Sequence, residues 1–126
     1  MAAVTHKASC VCGAVQMETV GSPIFSGYCH CNECRHSLVN EKPFVTAFES
    51  KNVKITSGAD KITHYKMGQA SDRGFCSLCG TRLFNYVEPK SMQIVYPSLF
   101  EFARSGELDS GELPPDWKPQ AHIVCT

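Results

Sequence analysis

The sequence predicts a mainly β fold of short antiparallel strands tied together by metal. Three observations predict it. Apolar and polar residues alternate with period two over short runs, the signature of half-buried strands. Turn residues punctuate those runs at Gly21-Ser22-Pro23, Ser57-Gly58 and Glu88-Pro89-Lys90. Seven of the eight cysteines fall in three tight groups: Cys10 and Cys12; Cys29, Cys31 and Cys34; Cys76 and Cys79.

Residues 1–8 read as a lead-in. Residues 9–20 predict one strand, with Cys10, Cys12 and Ala14 on one face and Val11, Val15 and Met17 on the other. Gly13 permits close backbone approach there. Residues 24–31 predict a second strand that runs into the cysteine triplet. The polar stretch 35–42 predicts a turn or a single helical turn. Residues 43–49 alternate again, with Phe44, Thr46 and Phe48 opposite Val45 and Ala47. Val53 and Ile55 mark a short strand, and residues 61–67 mark another. A cysteine turn occupies 73–81, and strands follow over 83–87 and 92–96. A short helix is expected over 98–105, with Ser98 as N-cap and Glu101 at the capping-box position. Residues 106–119 are rich in Pro, Gly and acids and predict a loop, with Trp117 as its anchor.

At 126 residues the chain is sized for a single domain, 1–126. Its formal net charge is zero and it has no basic run, which argues against nucleic acid or a membrane surface as partner. The opening MAAVTHKASC does not resemble a signal peptide, and no run is long and apolar enough to span a bilayer. The expectation is a soluble cytoplasmic protein whose thiols are reduced. The clustering of the cysteines then points to metal binding rather than to a disulfide framework.

Cys76-Ser77-Leu78-Cys79-Gly80 has the form of a zinc-knuckle turn. Two intervening residues aim both sulfurs at one centre, and Gly80 permits the turn that follows. Cys10-Val11-Cys12-Gly13 does the same from a strand, since alternate residues share a face. Together the two pairs supply four thiolates, the closed shell of a structural zinc.

The triplet is one ligand short of such a shell. Three readings stand side by side: closure by His36, closure by Cys125, or an open site that takes water or substrate. His30 lies between two ligands and faces the other way in extended chain. We favour the open site. Three thiolates leave a divalent ion with net negative charge and low Lewis acidity, so a bound water is hard to ionise. A fourth thiolate from a substrate suits such an ion better, and the metal would deprotonate it. Carbon–sulfur bond making or breaking fits that chemistry better than hydrolysis.

Three stretches carry a family resemblance: Cys10-Val11-Cys12-Gly13; Cys29-His30-Cys31-Asn32-Glu33-Cys34-Arg35; and Arg73-Gly74-Phe75-Cys76-Ser77-Leu78-Cys79-Gly80-Thr81. With Pro119-Gln120-Ala121-His122-Ile123, in this order and at these intervals, the chain resembles the glutathione-dependent formaldehyde-activating enzyme family, also called the centromere-protein-V/GFA domain, over about residues 8–123. The resemblance implies a fold of the β-tent type, a complex of short antiparallel sheets. It implies a structural zinc on Cys10, Cys12, Cys76 and Cys79. It implies a second, catalytic and labile zinc on Cys29, Cys31 and Cys34, where the thiol of glutathione binds. The implied activity is that of a carbon–sulfur lyase, such as the joining of glutathione and formaldehyde to S-hydroxymethylglutathione. The alternatives are a zinc-stabilised binding module, as in the centromeric relatives, and a chaperone-like domain. Where the family shows a Gly-containing turn and Leu-Asp, this chain has Tyr96-Pro97-Ser98-Leu99-Phe100-Glu101. Arg35 and Arg73 flank ligands and read first as structural charges, second as partners for a substrate carboxylate or the thiolates. His64 reads as a strand-surface residue, and His122 is a further candidate for lining the site.

Overall fold

Two sheets, one of three strands and one of seven, make up the protein as a computed structural model that describes residues 4–67, 71–88, 91–104 and 113–123. The small sheet has the order β1-β2-β5 and is wholly antiparallel: β1 (Thr5–Ser9), β2 (Gln16–Val20) and β5 (Val53–Ser57). The large sheet runs β10-β3-β4-β9-β8-β7-β6. Its members are β3 (Phe25–Cys29), β4 (Phe44–Glu49), β6 (Ile62–Met67), β7 (Ser71–Cys76), β8 (Arg82–Val87), β9 (Met92–Val95) and β10 (Ala121–Ile123). Among the described strands, only β10 pairs in parallel, against β3. The mainly β, antiparallel expectation therefore holds, and two details of it are corrected.

The first correction concerns residues 5–20. The strand starts inside the expected lead-in, at Thr5, and the expected single strand is a hairpin. Gly13 sits at φ 81° and donates its N–H to the Cys10 carbonyl at 3.1 Å. That turn carries Cys10 and Cys12 out of extended backbone, so they converge by chain reversal and not by strand alternation. Gly58, at φ 78°, closes down on the same connection. A Cβ there would stand 1.9 Å from the Ala14 carbonyl oxygen, so only glycine fits.

The second correction concerns the triplet. Where a turn or a single helical turn was expected over 35–42, a helix, α1 (Asn32–Leu38), starts three residues earlier and contains Cys34. Cys31 is its N-cap residue, in extended backbone. Glu33 in the first turn and Arg35 and His36 in the last turn match the helix dipole. Near the end of the chain, a 3-10 turn (Pro97–Leu99) and a four-residue helix α2 (Glu101–Arg104) replace the expected helix over 98–105. Ser98 lies within that turn and is not its N-cap, which is Tyr96. Of the expected loop, residues 106–112 lie outside the described residues, as does Cys125.

Trp117 is fully buried, the anchor the sequence led us to expect. Its ring meets those of Phe100 at 4.8 Å, Phe102 at 4.9 Å and Phe48 at 5.3 Å, in the tilted and edge-on arrangements aromatic rings prefer. Its carbonyl accepts from Ser26 Oγ at 2.6 Å, and Ser26 is bonded to Thr46 at 2.8 Å. Phe100, which stands in the departure from the family's Leu-Asp turn, is a core residue of this cluster.

Candidate metal centres

The first centre joins two connections. The β1–β2 connection supplies Cys10 and Cys12, the end of β7 supplies Cys76 and the β7–β8 connection supplies Cys79. All four sulfurs lie within 4.8 Å of one another. Cys10 Sγ and Cys12 Sγ are 3.6 Å apart, and Cys12 Sγ and Cys76 Sγ are 3.8 Å apart. Tetrahedral thiolates on bonds of about 2.3 Å stand about 3.8 Å apart, so the donor set fits a tetrahedral ion. The Gly80 N–H donates to the Cys76 carbonyl at 2.8 Å, which closes the knuckle, and Gly80 takes φ 78°. Cys10 and Cys76 are buried, while Cys12 and Cys79 face solvent.

Thr81 stitches the two connections together. Its hydroxyl accepts from the Val11 N–H at 3.1 Å and lies 3.1 Å from Cys79 Sγ. That hydroxyl, then the backbone N–H groups of Thr81 and Cys12, pulls the Cys79 thiol down to about 5. Val15 N–H points at Cys10 Sγ at 3.3 Å. Hydrogen bonds of this kind favour the thiolate, which is the metal-binding form.

The second centre is local. β3 ends on Cys29, Cys31 caps α1, and Cys34 lies in its first turn. Their sulfurs also lie within 4.8 Å of one another, and all three residues are buried. His36 is not among the side chains that converge there, and Cys125 lies outside the described residues. Cys31 is disulfide-bonded, whereas Cys29 and Cys34 are free. A sulfur in a disulfide is not a thiolate donor, so the metal-holding form of this centre is the fully reduced one. A hydrogen bond from Cys29, opposed by burial and reinforced by Arg73, pulls Cys34 down to about 6. The same bond and burial push the Cys29 thiol up.

A cavity of about 610 Å³ opens beside this triplet. The three cysteines form one wall; Ser71, Arg73 and Asn85 lie on another. Arg73 and Asn85 are cross-strand partners on β7 and β8, which fixes them side by side. Arg73 is only 8 % exposed, and its Nη2 donates to Cys34 Sγ at 3.4 Å. Its Nε and Nη1 have no partner among the described residues. Arg73 also borders a second cavity of about 460 Å³, walled by Leu38, Phe84 and Tyr96 among others. Burial pushes the Tyr96 hydroxyl up to about 12.

The remaining candidates separate cleanly. Arg35 is exposed and borders neither cavity. His64 pairs with Asp72 at 3.2 Å on the surface, as expected of a strand residue. His122 does not border the cavity beside the triplet; its Nδ1 meets His30 Nε2 at 2.7 Å on an exposed face. Asn85 escaped the sequence reading. Its one signal was a lone amide inside the apolar run Leu83-Phe84-Asn85-Tyr86-Val87.

Comparison with known proteins shows likeness of sequence and of fold. A profile of the family described as glutathione-dependent formaldehyde-activating enzyme matches residues 5–126. An uncharacterized lyase from Schizosaccharomyces pombe is 27 % identical over 97 residues, which are 76 % of this chain and 69 % of that one. The crystal structure of a Rhodobacter sphaeroides protein superposes with a TM-score of 0.67 at 23 % identity, covering 86 % of this chain and 97 % of that one. That likeness is one of fold. Among the described residues, no helix is long and apolar enough to cross a membrane.

Proposed function

The chain belongs to the glutathione-dependent formaldehyde-activating enzyme family, and on that premise we propose that it is a zinc-dependent carbon–sulfur lyase acting on the adduct of a small thiol and an aldehyde. Glutathione with formaldehyde, giving S-hydroxymethylglutathione, is the leading pair. Residues 1–126 act as one zinc domain in a reducing, cytoplasmic setting, with no nucleic-acid or membrane partner.

In this reading Cys10, Cys12, Cys76 and Cys79 hold a structural zinc. Cys29, Cys31 and Cys34 hold the second, catalytic and more labile one. The observation that carries the proposal is the convergence of three sulfurs, without a fourth ligand among the described residues, on the wall of a 610 Å³ cavity. A thiolate-rich ion supplies acidity toward a thiol at its remaining position. The chain's own residues do the rest. The cavity admits the thiol and restricts water around it. The Arg73 guanidinium, fixed against Cys34, offsets the negative charge that gathers as thiolates accumulate.

The test is calorimetric titration of reduced, zinc-replete protein with glutathione, repeated on Cys31→Ser. Binding to the wild type that is lost in the variant supports the proposal. Equal binding by both proteins, or by neither, overturns it and favours a zinc-stabilised binding module.

A further inference from the structure

Arg73 is an unusual residue to find where it is. Arginine is seldom buried unless its N–H groups are paired. Here the residue is 8 % exposed; Nη2 donates to the soft sulfur of Cys34 at 3.4 Å and the Tyr96 hydroxyl also interacts with the guanidinium, while Nε and Nη1 have no partner among the described residues. Each buried donor left without a partner is destabilising. Neutralising a thiolate cluster calls for positive charge, and a lysine would supply that without a planar fork of five donors.

Asn85 faces the same cavity from the neighbouring strand and is 3 % exposed. Its Oδ1 accepts from Ser71 Oγ at 2.8 Å, which fixes the amide and leaves Nδ2 as its donor. A guanidinium and an amide N–H₂ therefore sit side by side, and one of them touches a sulfur of the triplet.

We propose that Arg73 and Asn85 are the oxygen-recognition pair of the thiol site, taking the oxygen atom that lies one or two carbons from the substrate sulfur. The inference rests on the thiol-adduct reading and deepens it. When a thiolate adds to an aldehyde, a carbon–sulfur bond forms and the carbonyl π bond breaks. Its electron pair goes to oxygen, and a proton from solvent completes the hydroxyl; breakdown is the reverse. The developing charge thus sits two bonds from sulfur. A donor already in contact with a sulfur of the triplet is placed for that near oxygen, not for a carboxylate at the far end of a long thiol. Donors aimed at developing charge are where an active site gains most. The pair also selects substrates: thiols with an oxygen near sulfur are favoured over plain alkyl thiols.

Binding alone tests this. Reduced, zinc-replete protein is titrated with mercaptoacetate, which carries an oxygen close to its sulfur, and with ethanethiol, which carries none. The wild type should prefer mercaptoacetate by about tenfold or more, as a charge-assisted hydrogen bond implies. Arg73→Met should abolish that preference, lowering affinity for mercaptoacetate about tenfold more than affinity for ethanethiol; Asn85→Leu should reduce the preference severalfold. Arg73→Met removes unsatisfied donors at similar volume, so its melting temperature should not fall. If either variant folds and keeps the full preference, its member of the pair is refuted. If affinity for both thiols falls equally in Arg73→Met, the arginine only offsets thiolate charge and the proposal is overturned. If neither thiol binds the wild type, the thiol-adduct reading itself fails, and the pair's role fails with it.

Discussion

Cys12 meets Cys76 across 64 positions of chain, whereas Cys29, Cys31 and Cys34 come from within six consecutive residues. The donor atom is the same in both centres, and the consequences are opposite. An ion at the first centre would close a long loop and lock the small sheet's hairpin to the β7–β8 connection of the large one. Closing that longer loop alone is worth on the order of 2 kcal/mol more than closing the short one. An ion at the second centre would tie together the end of one strand and one turn of helix, which the sheet already positions. Sequence span separates a metal that makes the fold from a metal that the fold presents to a cavity.

Substitutions can break this contrast at several strengths. The largest expected effect is that of Cys76→Ala. Structural zinc contributes on the order of 10 kcal/mol, comparable with the whole stability of a small domain. The variant should be insoluble or lack a cooperative melt, and a soluble, cooperatively melting, zinc-free product at that centre would refute the structural role. Next comes Gly58→Ala, which touches no ligand. Its Cβ would strike the Ala14 carbonyl at a φ of 78°, and the expected loss is about 2–3 kcal/mol by denaturant unfolding. Metal at the second centre should be retained in that variant.

Thr81→Val sharpens the comparison further. It removes the acceptor of the Val11 N–H and the hydroxyl beside Cys79, at a cost of about 1 kcal/mol. Its mark should be easier metal loss from the first centre under a competing chelator. Smallest in stability, measured on reduced protein where no disulfide is lost, is Cys31→Ser, at under about 1 kcal/mol. Yet it should release the second metal while the first stays, as counted by metal analysis of reduced protein.

Much of this arrangement was legible in the residues themselves. Period-two alternation marked β4, β6, β8 and β9, although β4 is buried on both faces and β6 is largely exposed. The cysteine spacings marked both centres, because a short spacing limits where two sulfurs can point. Alternation failed at Cys10 and Cys12, where the left-handed Gly13 reverses the chain and a turn imitates a strand. It failed again at α1, since seven mostly polar residues with one buried cysteine show no helical stripe. The three-residue β10 was out of reach for a different reason: its pairing with β3 is a long-range event that three residues cannot announce. Arg73 was visible as a neighbour of ligands. Its burial, its unpaired N–H groups and its Asn85 neighbour depend on strand register, which the sequence does not display.

The most direct measurement of the contrast is sulfur coordination by X-ray absorption at the zinc edge. Reduced protein carrying two zinc ions per chain would be measured alone and with a saturating thiol. The expected average is between three and four sulfurs per zinc without thiol, from one four-cysteine and one three-cysteine centre, rising to four when thiol is added. An average of four before any thiol is added, unchanged afterwards, would mean that the second centre is closed and that both centres only hold the fold together.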